Sequence, residues 1–115
     1  MDRPRLYLAG PMRGIPLFNF PAFDEAARAF ASRFEVINPA DLDRAKGFDP
    51  TTLPEGYAWQ NLEAIGFDLR EAVRRDVDAI LSCDAIFMLE GWERSTGARA
   101  EHALAVWLGL DILYQ

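Results

Sequence analysis

The sequence predicts an α/β fold, a doubly wound parallel sheet of roughly four or five strands with helices on both faces. Three observations carry this. Short apolar runs of strand length alternate along the chain with stretches of helical periodicity. The early runs end at Gly or Pro. Parallel neighbours need crossover connections, and the intervening helices supply them. At 115 residues the chain is long enough for one domain over 1–115, with roughly two-thirds of its unfolded surface buried on folding.

The elements follow in order. "RLYLAG" (5–10) reads as a buried strand, and "PMRGIPLFNF" after it as a loop. Pro21 suits a first helical residue, with Asp24 and Glu25 in a first turn that favours negative charge, and this helix runs to about Arg33. "FEVINPA" (34–40) is a second strand, stopped by Pro39. Residues 41–66 show no sustained period and read as a long excursion in which Tyr57, Trp59 and Leu62 suit a lid over a pocket. In "FDLREAVRRDVDAILS" (67–82), Leu69, Val73, Val77, Ile80 and Leu81 recur at helical spacing. "DAIFMLEG" (84–91) is the third strand, "STGARAEHALAVWLG" (95–109) a helix and "DILYQ" (111–115) the last strand.

The net charge of −6 argues against duplex nucleic acid or an anionic membrane as main partner, though a single nucleotide needs only a few local donors. Cys83 is the lone cysteine, the N-terminus lacks a long apolar run, and no window approaches a membrane span. A reducing, cytoplasmic location is the expectation. Phe18, Phe20 and Trp107 read as exposed apolar residues that would suit a homodimer.

In parallel α/β sheets, sites lie at the carboxyl ends of the strands. Helical geometry puts Glu101 about 60° from Leu104 and about 20° from Leu108, on the side that faces the sheet, with Arg99 and His102 on the solvated side. It puts Asp76 about 20° from Leu69 and about 60° from Val73, with Asp78 far round. Either carboxylate alone could be a helix-edge residue paired with an Arg. Together, flanking the third strand, they fit glycosyl chemistry, in which one carboxylate attacks or stabilises the anomeric carbon and the other donates a proton to the leaving group. Ser95 caps the last helix, and its hydroxyl with the exposed N–H groups offers an anion site. "GPMRG" (10–14) adds Arg13, suited to phosphate oxygens, but lacks both the P-loop ending and the dinucleotide fingerprint.

"YLAGPMRG", "NFPAF" and "CDAIFMLEGWERSTGARAEHALA" resemble, over nearly the whole chain, the small bacterial and phage proteins of domain of unknown function 4406. That family is similar to the nucleoside 2-deoxyribosyltransferases and the 2'-deoxynucleoside 5'-phosphate N-hydrolases, which implies a flavodoxin-like sheet. Carried over residue by residue, the resemblance implies Glu101 as nucleophile, Asp76 as general acid and Tyr7 as the residue that orients Glu101. Gly10, Arg13, Ser95 and Gly97 would bind substrate, and, from the aromatic content of the 41–66 segment and not from the resemblance, Tyr57 or Trp59 would lie near the base. No cofactor or metal is implied. The N-hydrolases carry a Gly where this chain has Arg99, and "GWER" has no counterpart in them. The expected activity is cleavage of the base–sugar bond of a nucleoside 5'-monophosphate. The alternatives are transfer to a second base, or a binding module without chemistry.

Overall fold

The computed structural model describes residues 3–50 and 68–115. The elements are β1 (Arg5–Ala9), α1 (Phe20–Phe30), β2 (Glu35–Ile37), α2 (Pro39–Ala45), α3 (Leu69–Leu81), β3 (Ala85–Met88), α4 (Thr96–Leu108) and β4 (Asp111–Tyr114). All strand pairs are parallel, in the order β2-β1-β3-β4, so the expected α/β sheet is present with four strands among the described residues. Tyr7 lies opposite Ile37 on one side and Ile86 on the other, in the middle of the sheet.

The two-residue alternation of β1 divides the core. Leu6 and Leu8 point to one face, where they pack with Ala85 and Phe87 of β3, Phe20, Phe23 and Ala26 of α1, and Ala40 of α2. Tyr7 and Ala9 point to the other, with Ile86, Met88, Ile80 of α3 and Ala98 and Ala105 of α4. Helices therefore cover both faces.

Several boundaries differ from the sequence-based expectation. Helix α1 begins at Phe20, one residue early, and ends at Phe30, which leaves no acidic residue in its first turn. Asp24 instead accepts from Arg44 Nη2 at 2.5 Å and Nη1 at 3.1 Å. Pro39 does not merely stop β2. It is the first residue of α2, whose N-cap Asn38 accepts from Ala40 N at 3.0 Å. This seven-residue helix lies within what reads as a periodless excursion, because two turns are too few to display a period. Phe20 is buried at 2% exposure and is no dimer-forming surface residue, and Phe18 is part-buried with its ring 5.2 Å from that of Phe48. Trp107 is exposed at 86%. The lid residues Tyr57, Trp59 and Leu62 lie outside the described residues.

Between β1 and α1 the backbone takes three consecutive left-handed residues, Leu17, Phe18 and Asn19, with φ of 55°, 51° and 62°. Non-glycine residues pay for this conformation. Asn19 Nδ2 donates to Pro11 O at 2.9 Å and so ties the segment back to the loop that follows β1.

Candidate active site

The central strand supplies the anchor. Tyr7 is fully buried in the middle of the sheet on the α3/α4 face, and a phenol there needs a partner for its hydroxyl. Glu101 provides it: Tyr7 Oη donates to Glu101 Oε2 at 2.5 Å, across 94 residues of sequence. Small residues explain how the carboxylate reaches so far in, since α4 meets the sheet through Ala98 and Ala105.

Burial drives the Glu101 carboxyl up to about 8 from an ordinary 4.5. The Tyr7 hydrogen bond opposes this shift, the nearby Asp76 charge adds to it, and Arg75 opposes it. Burial likewise holds Tyr7 far above the usual phenol range, reinforced by the charges of Glu101 and Asp76. Asp76 is raised by burial and by the charge of Asp43, against the pull of Arg75 and of the Tyr7 hydroxyl. Tyr7 therefore lies within electrostatic reach of both carboxylates, and Asp76 within reach of Glu101. They stand on β1, α3 and α4.

Asp76 also carries the plainer partner that sequence reasoning allows for. Arg75 donates to its Oδ1 through Nε at 3.0 Å and Nη2 at 2.8 Å. The same guanidinium reaches Asp43 Oδ1 on α2 at 2.9 Å. Sequence reading passes over both Asp43 and Arg75. Asp43 lies in a stretch that shows no period, and Arg75 stands on a helix edge where periodicity gives it no role.

The remaining residues divide by what holds them. Ser95 is the N-cap of α4, its Oγ accepting from Ala98 N at 3.2 Å. Gly10 has a packing reason, because a Cβ there would stand 2.7 Å from the Leu89 Cβ. At Gly97, on the first turn of α4, a Cβ would meet nothing within 4 Å, so packing does not require a glycine there. Arg13 is exposed on the loop after β1, at the carboxyl edge of the sheet. Arg99 is exposed, as expected. Trp59 lies outside the described residues.

His102 differs from expectation. It is part-buried, its ring stacked on Trp92 at 4.3 Å, with Nε2 2.9 Å from the Tyr114 hydroxyl. The Trp92–Arg94 turn, entered through Gly91 at φ 88°, brings Trp92 onto it. Helical angle places His102 away from the sheet-facing stripe, but β4 and this turn reach around to meet it. Together Trp92, Arg94 and Tyr114 border a cavity of about 430 Å³ at the carboxyl ends of β3 and β4. Among the described residues no group of three or more His, Cys, Asp or Glu could hold a metal ion.

Residues 4–114 match the family model described as "Domain of unknown function (DUF4406)". Among solved structures, the chain is similar to a 2-desoxiribosyltransferase from Leishmania mexicana, at 23% identity and a TM-score of 0.57, over 96% of this chain and 63% of that one. The chain thus spans less than two-thirds of that protein's length, and at this identity the likeness is one of fold. No curated protein gives a significant match.

Proposed function

The chain belongs to the DUF4406 family, and we propose that it is an N-glycosidase that cleaves the base–sugar bond of a (deoxy)nucleoside 5'-monophosphate. The observation that carries this reading is the Tyr7–Glu101 hydrogen bond with Asp76 beside it: two part-buried carboxylates gathered on a buried phenol in the middle of the sheet.

In the first step the Glu101 carboxylate attacks C1'. The C1'–N bond breaks with its electron pair going to the base, which takes a proton from Asp76. In the second, Asp76 accepts a proton from water as the water oxygen attacks C1', and Glu101 leaves as carboxylate. Tyr7 fixes the Glu101 rotamer and stabilises its charge as the ester breaks. With Glu101 raised to about 8, the resting site at neutral pH keeps a proton on the nucleophile. The reactive form is the one in which Glu101 is ionised and Asp76 holds the proton.

Ser95, Gly97 and the N-terminus of α4, with Arg13 and Gly10 on the loop after β1, are the groups we assign to the sugar 5'-phosphate. An unphosphorylated nucleoside would leave the Ser95 site unused, which favours the monophosphate. Trp59 is assigned to the face of the base. The reaction needs no cofactor, and we place it in the cytoplasm, in a homodimer.

Transfer to a second base shares the first step, and the likeness to the Leishmania mexicana 2-desoxiribosyltransferase favours it as a second reading. Incubation with a panel of deoxynucleoside 5'-monophosphates and their nucleosides, with and without acceptor base, separates the two. Free base from a monophosphate without acceptor supports hydrolysis, and release only with acceptor supports transfer. Binding with no release in any arm leaves a module without chemistry.

A further inference from the structure

One guanidinium serves two carboxylates that stand on different helices. Arg75 turns Nε and Nη2 onto a single oxygen, Asp76 Oδ1, while its Nη1 bonds Asp43 Oδ1 on α2. Asp43 is the deeper of the two, 7% exposed against 22% for Asp76. Among the described residues, the charged and titratable groups that act on Asp76 are Arg75 on its own helix, Asp43 from α2 and Tyr7 from β1, and Asp76 in turn acts on Glu101 of α4. Glu101 responds to Tyr7, Asp76 and Arg75, and Asp43 is not among its influences.

Resting on the reading above, we propose that Asp43 is a positioning residue for the acid step: by holding Arg75 from behind it divides the guanidinium's charge, so that Asp76 can carry the proton the departing base takes. An undivided cation within 3 Å of a part-buried carboxyl strongly favours the ionised form. An ionised Asp76 has nothing to donate. Asp43 thus does no chemistry of its own, and its charge sets how far Arg75 competes with the base for Asp76.

This has a signature that a simple stitch between α2 and α3 lacks. Where the Glu101/Asp76 pair carries one proton, weakening the hold of Asp76 on that proton shrinks the productive form. In acid, where both are protonated, only the ionisation of Glu101 limits the rate, and Asp43 drops out. Asp43→Asn, which keeps size and an acceptor for Arg75, should therefore lower kcat/KM for base release about tenfold on the plateau and move the acid limb down by about one pH unit. At the acid end it should match wild type. Arg75→Gln should move the acid limb the other way, and the double variant should recover most of the plateau lost in Asp43→Asn.

The experiment is the pH profile of base release from a deoxynucleoside 5'-monophosphate for the wild type and these three variants. It is paired with a carboxyl-carbon NMR titration of Asp76 in each, which needs no turnover. A fall of the Asp76 midpoint in Asp43→Asn and a rise in Arg75→Gln support the inference. Equal loss at every pH, or an Asp76 midpoint unmoved in Asp43→Asn, overturns it. Should Asp43→Asn not fold, the same Asp76 titration in Asp43→Ser decides, with a fall of the midpoint supporting the inference and an unmoved midpoint overturning it. A wild type that releases no base sinks the N-glycosidase reading, while the NMR midpoints still decide the Asp43 linkage.

Discussion

The two faces of the sheet are built from different materials. On the α1/α2 face, phenylalanines fill the space: Phe30 sits edge-on to Phe87 at 4.7 Å and to Phe34 at 5.8 Å, around Leu6, Leu8 and Phe23. On the α3/α4 face no phenylalanine among the described residues takes part: Ile80, Ile86 and Met88 pack around Tyr7 together with the small residues Ala9, Cys83, Ala98 and Ala105, the last two being where α4 meets the sheet. The first face is an aromatic core with the Arg44–Asp24 ion pair at its edge. The second lets helices approach closely enough for Glu101 to meet a residue of the central strand. The same alternation of β1 feeds both, so one strand carries stability on its even residues and the proposed chemistry on Tyr7.

Exchanging the roles of the two faces tests that division. The largest effect is expected at Glu101. Glu101→Gln should cut base release by about a thousandfold or more with the fold intact by circular dichroism. A folded Leu8→Ala protein, altered on the opposite face, should keep its turnover. Loss of activity in both alike would mean that the faces are not separable.

Next comes the aromatic face. Phe23→Ala should cost about 3–5 kcal/mol in urea unfolding, because its ring is fully enclosed and the cavity has little to collapse into. A cost below about 1 kcal/mol would show that α1 contributes little to stability.

Burial of Glu101 makes an opposite demand on stability. Between pH 4.5 and about 8 the folded protein holds a proton on Glu101 that the unfolded chain releases, so stability falls as pH rises through this window. Asp43 and Asp76, also raised by burial, act in the same sense from the ordinary carboxylate range upward. Glu101→Gln removes the largest part of this pH dependence and should be the more stable protein at pH 8, by a difference on the order of a few kcal/mol. Urea midpoints at pH 5 and pH 8 for both proteins provide the check, and parallel slopes would count against a buried, proton-holding Glu101.

The smallest effect belongs to the cap. Ser95→Ala should cost about 1 kcal/mol through the lost bond to Ala98 N, and raise KM for a monophosphate about tenfold with kcat held. If stability drops while KM stays, Ser95 is a helix cap and the phosphate assignment fails.

Much of this molecule is set by local geometry and so was legible in the sequence. Strand runs that end at Gly and Pro, and helices with an apolar stripe, fix the element order. The angle between residues three, four or seven apart on a helix put Asp76 and Glu101 on the sheet-facing side, but of its references only Leu104 packs on the core, while Leu69 and Val73 at 50% and Leu108 at 42% stay exposed. The capping role of Ser95 is equally local. Whatever requires two distant segments to meet was decided by tertiary structure alone. Tyr7 finds Glu101 across 94 residues only because β3 lies beside β1, and α4 packs over them on Ala98 and Ala105. Asp43 finds Arg75 only because α2 forms in a stretch too short to announce itself and carries the aspartate to α3. His102, on the outward side by helical angle, is claimed by Trp92 and Tyr114 because β4 and the turn after β3 close around it. A side chain's direction is a property of its own helix, and the partner waiting there is a property of the assembled sheet.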